Sequence, residues 1–401
     1  MTLLSRVRTA SWLTGSGVGA HRPTAARAEL EHPRAWTALW RDTAEGCGLV
    51  RRVVVPAGIT VVIPPILGVA RTRPDGPVAL VVELLPGQAP ADYIAKADRL
   101  ALALDAAVVV VVPRGGRVVA LELHDTDPLT EPFTPNLPDL TSAGHELLLG
   151  RGEDGATVGH ALAAAAHIAV QGQNGSGKSL FAYALLAQAA AARDVVVTGS
   201  DITGLLLGRP WDGTRHRRWQ ATGTANLETH AVVLEQLVAM MDHRLATMPS
   251  GVDKLDPTED CPLVLVVVEE FPGLLRAAGA QPRSKGERTL QQRIVGANLR
   301  LLSEGRKVAF RVLTLAQRAE AEALGGGYAR DQYALAVSFR VPADSLAMLH
   351  GDDARPLGAA HQVADPGIAV VSAPGRPLAR IRTPYLPGEY AEFCDRVRAA
   401  R

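Results

Sequence analysis

The segment HIAVQGQNGSGKSLFAYALLAQ, His167 to Gln188, constrains this chain more than any other. A short apolar run enters a glycine-rich turn, and an alanine- and leucine-rich stretch leaves it. Gly172 to Ser179 fits GxxxxGK[ST], the pattern of a phosphate-binding loop between a strand and a helix. Glycine lets the backbone curl until successive N–H groups point inward at phosphate oxygens. The helix that starts here adds the positive end of its dipole. Lys178 is placed to set its ammonium on the β- and γ-phosphates, and Ser179 to offer its hydroxyl to Mg2+. ATP and Mg2+ are therefore the expected cofactors. The expected nucleotide-binding residues are Gly172, Gln173, Asn174, Gly175, Ser176, Gly177, Lys178, Ser179 and Leu180.

Hydrolysis needs acids as well as a cradle. CPLVLVVVEEFPGLL, Cys261 to Leu275, is an apolar strand that ends in two carboxylates. The first, Glu269, is expected to hold the metal's water shell, and the second, Glu270, to orient the attacking water. GRKVAFRVLTLAQRAEA, Gly305 to Ala321, reads as another buried strand ending at Gln317, whose amide is placed to touch the γ-phosphate or its water.

At 401 residues the chain has room for more than one domain. Its 47% hydrophobic and 21% charged content are those of a folded protein. A net charge of +1 supplies no global field for nucleic acid, so any such contact must be local. Cys47, Cys261 and Cys394 lie far apart, without metal-ligand spacing, which suits a reducing compartment. MTLLSRVRTASWLTGSG lacks the sustained apolar core of a signal peptide. Val53 to Ala70 carries no charge over a length that raises a membrane span, but Pro56, Pro64 and Pro65 among β-branched residues favour buried strand pieces.

Four regions follow. Residues 1–48 read as a partly ordered lead-in and 49–126 as a small α+β module. Within the module, Tyr93, Ala97, Leu100 and Leu104 share one helical face, and PRGG turns a hairpin into RVVALELH. Proline-rich 127–144 reads as a linker. Residues 145–401 alternate strands with helices, as a parallel sheet requires. Strands are predicted at 166–171, 194–200, 263–268, 308–315, 333–340 and 367–372. Helices are predicted at 178–192, 228–247, 287–304 and 342–349, with a last helix in GEYAEFCDRVRAAR.

The order LLLGRGEDGATVGHALAAAAHIAVQGQNGSGKS, VVVEEF, EGRKVAFRVLTLAQRA, YALAVSFRVPADS and GDDARPLG resembles the FtsK/SpoIIIE family of hexameric double-stranded DNA translocases. It is most similar to the short forms on actinobacterial plasmids and integrative elements, over about residues 145 to 385. The resemblance implies an α/β fold: a RecA-like P-loop ATPase domain with a parallel-sheet core, behind the α+β module. It also implies a homo-oligomeric ring, a hexamer, that hydrolyses ATP to move duplex DNA in plasmid or integrative-element transfer or DNA segregation. By the same resemblance Glu270 matches the catalytic glutamate and Gln317 the strand-end glutamine. Arg306 and Arg340 fall where the family places arginines at a subunit boundary, either serving as a finger toward a neighbour's γ-phosphate. Asp201 falls in a short acidic turn.

Glu269 departs from the family, most of whose members carry Asp there. The expectation is a cytoplasmic motor, with no transmembrane block before it and no winged-helix reader after it. Membrane association and sequence choice would then come from a separate partner. Two loops are candidates for phosphate contact: Arg209, Arg215, Arg217 and Arg218 with Trp211 and Trp219, and Arg283, Lys285, Arg288 and Arg293. Two other functions compete. One is a ring ATPase of the same family moving protein, as in type VII secretion. The other is a nucleotide-gated binding protein with low turnover, which the acid pair argues against.

Overall fold

The computed structural model describes residues 33–56, 58–71, 77–164, 167–282, 286–321 and 324–400. The chain divides into two compact units, Met1–Pro128 and Leu129–Arg401.

In the first unit, β1 (Arg51–Val54) and β2 (Thr60–Ile63) pair only with each other. β3 (Ile66–Arg71), β4 (Val78–Glu83), β5 (Val108–Gly115) and β6 (Val118–His124) form an antiparallel sheet of order β3-β4-β6-β5. The expected β5–β6 hairpin is present. The helix expected to carry Tyr93, Ala97, Leu100 and Leu104 on one face is broken into Pro90–Ile94 and Ala97–Ala103. Its apolar face survives the break, with Tyr93, Leu100 and Leu104 buried. The stretch read as a lead-in carries helix Pro33–Gly46, whose Trp36, Trp40 and Ala44 join this core. Residues 1–32 lie outside the described residues.

Val53 to Ala70 forms strands but departs from the buried reading. Val54 is 70%, Ile59 62% and Ile66 66% exposed. Among the described residues β1 and β2 form a two-stranded sheet by themselves, and so small a sheet buries little apolar surface. No described helix is long and apolar enough to cross a membrane.

The second unit is built on one ten-stranded sheet. Its strands are β7 (Glu146–Gly152), β8 (Thr157–Ala161), β9 (His167–Gln171), β10 (Val195–Asp201), β11 (Gln220–Thr222), β12 (Leu263–Glu269), β13 (Phe310–Ala316), β14 (Tyr333–Ser338), β15 (Ile368–Ala373) and β16 (Arg376–Arg382). The order is β11-β10-β12-β13-β9-β14-β15-β16-β7-β8. The first six strands are parallel, and the remaining pairings are antiparallel.

The central strands are apolar on both faces because helices cover both. Leu263, Leu265 and Val267 of β12 face helices Lys178–Ala191 and Glu389–Ala399. Val264, Val266 and Val268 face Glu228–Ala246, Phe271–Gly279 and Leu290–Glu304. The latter face is clamped by two arginines. Arg293 grips Glu235 at 2.7 and 2.8 Å and Glu228 at 2.5 Å, while Arg300 grips Asp242 at 2.7 and 2.9 Å and also Glu304.

The proline-rich stretch read as a linker is tied into this unit. Leu137, Leu140 and Ala143 are buried in its core. Asp194 accepts the Ala143 N–H and the Ser142 hydroxyl, both at 2.7 Å. A proline-rich composition marks irregular backbone, and here that backbone is packed rather than free.

Three histidines of this unit are held uncharged. His167 accepts the Val312 N–H at 2.9 Å, and burial, with Arg311 and Arg306 nearby, pushes its pKa down to about 4. His216 accepts the Val197 N–H at 3.1 Å, and burial, helped by Arg215, takes it to about 4. His350 lies between the hydroxyls of Ser338 and Ser372, and burial, with His361, takes it to about 3. An unfolded chain protonates these rings near pH 6.5, whereas the native one does not until far lower. Stability is therefore complete above that value and declines as pH falls from 6.5 toward 4, by up to about 1.4 kcal/mol per pH unit for each histidine. Melting curves should show a clear loss between pH 7 and 5, made shallower by His216→Asn, whose amide oxygen still accepts from Val197. A melting temperature flat across that range would refute the assignment.

Candidate nucleotide site

Parallel strands present their carboxyl ends on one edge, and there the chemistry collects. Pairing sets Asp201 of β10 beside Glu269 of β12, Glu269 beside Leu315 of β13, and Leu315 beside Val170 of β9. β13 thus separates the phosphate-loop strand from the acid-bearing strand, a lateral span of about 10 Å. The loop carrying Gln317 leaves the sheet between them.

The phosphate loop is held by its neighbours. The Gly172 N–H donates to Ala316 at 3.2 Å, and that of Gln173 to the carbonyl of Arg340 at 3.1 Å. Gly175 and Gly177 have φ of 72° and 104°. The Gly367 N–H donates to the Ser176 carbonyl at 2.8 Å, and a Cβ on Gly177 would stand 2.8 Å from that Gly367 nitrogen. Helix Lys178–Ala191 begins directly after. Gln173, Asn174, Gly175 and Ser179 are exposed at the loop, as a ligand cradle requires, while Leu180 is half-buried.

Lys178 Nζ stands 4.0 Å from Glu270 Oε2. Burial pulls the Lys178 ammonium down from its ordinary range, while Glu270 and Glu269 oppose that shift. Glu270 adopts φ 47° and ψ 51° at the start of helix Phe271–Gly279. A left-handed conformation at a non-glycine residue is costly and concentrates at functional sites. Here it turns the chain sharply off β12 and carries the carboxylate to Lys178.

Glu269 is pushed up to about 8 by burial first, then by Asp201 and Glu270, with Lys178 opposing. Among the described residues its Oε2 is buried without a partner, as is Ser176 Oγ. Glu269 and Ser179 are the residues here that can serve Mg2+. The hydroxyl and the orphaned carboxylate oxygen are hard donors, and Mg2+ completes its shell with phosphate and water. Among the described residues no three His, Cys, Asp or Glu side chains gather as a metal cage. Asp201 is spent otherwise. Its Oδ1 accepts from Thr203 N, Thr203 Oγ1 and Gly204 N, and its Oδ2 from Leu206 N and Leu207 N, all between 2.7 and 2.9 Å.

Gln317 lies just past β13 and is exposed. The two arginines separate. Arg340 follows β14 at its own phosphate loop, its side chain reaching Ala364 O at 3.5 Å. Arg306 is exposed in the short helix Gly305–Val308, at the opposite end of β13. At about 3.3 Å per residue it is roughly 20 Å from its own phosphate loop.

The two arginine-rich loops are partly committed to folding. Trp211 is fully buried, and Arg215 donates to the Ala192 and Val195 carbonyls. Arg217 pairs with Asp212 at 3.0 Å, and the Arg218 guanidinium lies over Trp219. Arg293 is taken by Glu228 and Glu235. Arg209, Arg218 and Arg288 are exposed, while Arg283 and Lys285 lie outside the described residues.

Motif reading passed over three contributors. Gly367, flagged by its Pro-Gly turn, braces the loop. Phe339 fills the space a side chain at Gly172 would need, its Cβ 2.7 Å from that point. Gln171, the residue before the loop, makes the buried contacts described below. A cavity of about 250 Å³ opens beside Gly177 and Leu180, walled by Pro132, Pro366, Pro384 and Tyr385.

No protein-family model matches this chain, and no curated protein matches it. Solved structures do. The pCW3 conjugation coupling protein TcpA, in its monomer form with ATPγS, aligns with TM-score 0.57 at 15% identity, over 90% of this chain and 98% of that one. The cytoplasmic domain of the Thermomonospora curvata type VII secretion ATPase EccC aligns with TM-score 0.48 at 18% identity, over 66% of this chain and 32% of that one. ATPases 2 and 3 of Geobacillus thermodenitrificans EssC give 0.49 at 13%, over 67% of this chain and 52% of that one. The fold is the expected RecA-like P-loop fold, α/β with a largely parallel central sheet, and TcpA shares it.

Gly177 combines a disfavoured backbone angle with a steric limit. Gly177→Ala should lower stability by roughly 1–3 kcal/mol through the positive φ alone. Gly155→Ala, with φ 74° and open space around its Cβ, should cost less. Chemical denaturation of both variants checks this, and equal losses would mean Gly367 yields freely.

Proposed function

We propose that this protein is an FtsK/SpoIIIE-type ATPase that couples ATP hydrolysis to movement of double-stranded DNA in conjugative or related transfer. The observation that carries the reading is the convergence on one sheet edge of the phosphate loop, the Glu269–Glu270 pair and Gln317. Lys178 would bind the β- and γ-phosphates, Ser179 and Glu269 would hold Mg2+, Glu270 would orient the water, and Gln317 would meet the γ-phosphate. Bound Mg2+ would supply charge neutralisation across the phosphates. The proline-walled cavity beside Leu180 receives the base. The likeness to TcpA over nearly its full length supports conjugative DNA transfer as the setting.

Division of labour gives the first test. Lys178→Ala should lose both binding and turnover. Glu270→Gln should keep ATP binding and lose turnover by about 10²–10³-fold. The same assay with duplex DNA identifies the substrate. Exposed Arg209, Arg218 and Arg288 see phosphate and not bases, so unrelated duplexes of equal length should stimulate alike, and the stimulation should fall steeply with salt. Near wild-type turnover by Glu270→Gln would remove the catalytic assignment. Stimulation by no duplex at any salt would turn the reading toward a protein substrate.

Arg306, remote from its own phosphate loop, is the arginine proposed to serve a neighbouring subunit in a homo-oligomeric ring, taken as a hexamer. Arg340 is assigned to its own site. Arg306→Ala should be inactive alone yet regain partial ATPase activity in rings mixed with Lys178→Ala subunits, because some sites are then intact. Arg340→Ala should not be rescued in this way. Rescue of the second and not the first would reverse the two roles.

A further inference from the structure

Gln171 is the last residue of β9, fully buried, and immediately precedes the phosphate loop. A buried primary amide without partners would be costly, and this one has three. Its Oε1 accepts the Ala319 N–H at 2.8 Å. Its Nε2 donates to Ser338 Oγ at 2.7 Å and to the Ser345 carbonyl at 3.0 Å. The orientation of the amide follows from the partners, since a backbone N–H can only be met by oxygen and a backbone carbonyl only by N–H. Ala319 lies two residues beyond Gln317. Ser338 ends β14 and passes the network to His350 at 2.7 Å, on helix Ala343–His350. His350 then reaches Ser372 of β15 at 2.8 Å.

The hydrogen bonds that brace Gly172, Gln173 and Ser176 run through backbone groups, which no side-chain change removes. Gln171 is the side chain that spans from the loop's own strand to the segment bearing Gln317.

We propose that Gln171 is a positioning residue for turnover: it sets the Gln317 segment against the phosphate loop, and it does so through the Ala319 N–H. This rests on the ATPase reading above. Gln171 touches neither nucleotide nor metal, and acts only by where it holds Gln317. Its outer contacts to Ser338 and Ser345 keep the amide from turning, so that its oxygen stays on Ala319.

The test uses Gln171→Met, which keeps the length of the side chain and removes both polar ends. Gln171→Asn keeps the amide but stops one methylene short of Ala319, and keeps the test open if the apolar variant does not fold. In either variant the affinity for ATPγS should stay within about threefold of wild type. The kcat should fall on the order of ten- to hundredfold, the cost of a displacement near 1 Å in a catalytic group. In a Gln317→Ala background the same substitution should cause no further loss of kcat, because the residue it positions is gone. Amide exchange across 317–321 should quicken in the single variant while helix Lys178–Ala191 stays protected. A kcat unchanged from wild type, or losses that multiply in the double variant, would overturn the proposal. So would an ATPγS affinity that falls as far as kcat, since Gln171 would then shape the cradle itself. If the wild-type protein hydrolyses no ATP, the ATPase reading fails, and exchange at 317–321 still decides whether Gln171 holds that segment.

Discussion

The parallel ladders on either side of β13 are the constraint from which the rest of the site follows. β13 pairs with β9 through Leu313–Ala316 and with β12 through Val264–Glu269. Slipping either register by one residue would turn every buried side chain of a strand to the wrong face. Because both faces of these strands are covered, the register is strongly specified, and the strand tips are specified with it. Phosphate loop, Gln317 segment and acid pair therefore share one edge without any direct bond having to hold all three.

Polar groups on that edge fall into two populations. Asp201 and Gln171 are fully buried and fully engaged, and their work is to shape loops. Glu269, Lys178 and Glu270 are incompletely satisfied. Glu269 carries an oxygen without a partner, Lys178 meets Glu270 only at 4.0 Å, and Glu270 is in a left-handed conformation. An under-paired cluster beside a saturated scaffold suits a site that awaits a polyanion and a cation, each of which would satisfy groups the protein leaves open.

Arginine does different work at different depths of the second unit. Arg311, almost wholly buried, is lowered to about 10 by burial and by Arg306, yet its guanidinium meets the carbonyls of Leu162, Ala163, Arg306 and Phe310. It thereby fixes the short helix that displays Arg306. Arg293 and Arg300 join helices across the solvent side through bidentate pairs. An arginine in a loop is thus a poor guide to ligand contact until its partners are known, and this separates Arg293 and Arg215 from Arg209, Arg218 and Arg288.

Much of the fold was legible in the sequence because its signals are local. Predicted strands 166–171, 263–268 and 333–340 and helices 178–192 and 228–247 fall within two residues of the observed ends, because run length, hydrophobic periodicity and flanking turn residues are signals carried within each segment. The tight glycine-rich loop was equally legible, since glycine adopts φ of 72° and 104° without steric cost and Gly177 leaves no room for a Cβ against Gly367. Other features depended on partners distant in the chain. The exposure of Val54 and Ile66 turns on whether a second layer covers them, and the burial of Leu137 and Leu140 on a core formed by later residues. The left-handed turn at Glu270 and the threefold pairing of Gln171 have no sequence signature, because each is set by contacts that exist only once the strands are side by side. Local sequence determined which segments became strands, helices and a phosphate loop. Tertiary structure decided which polar side chains were used up in holding them and which were left open to a ligand.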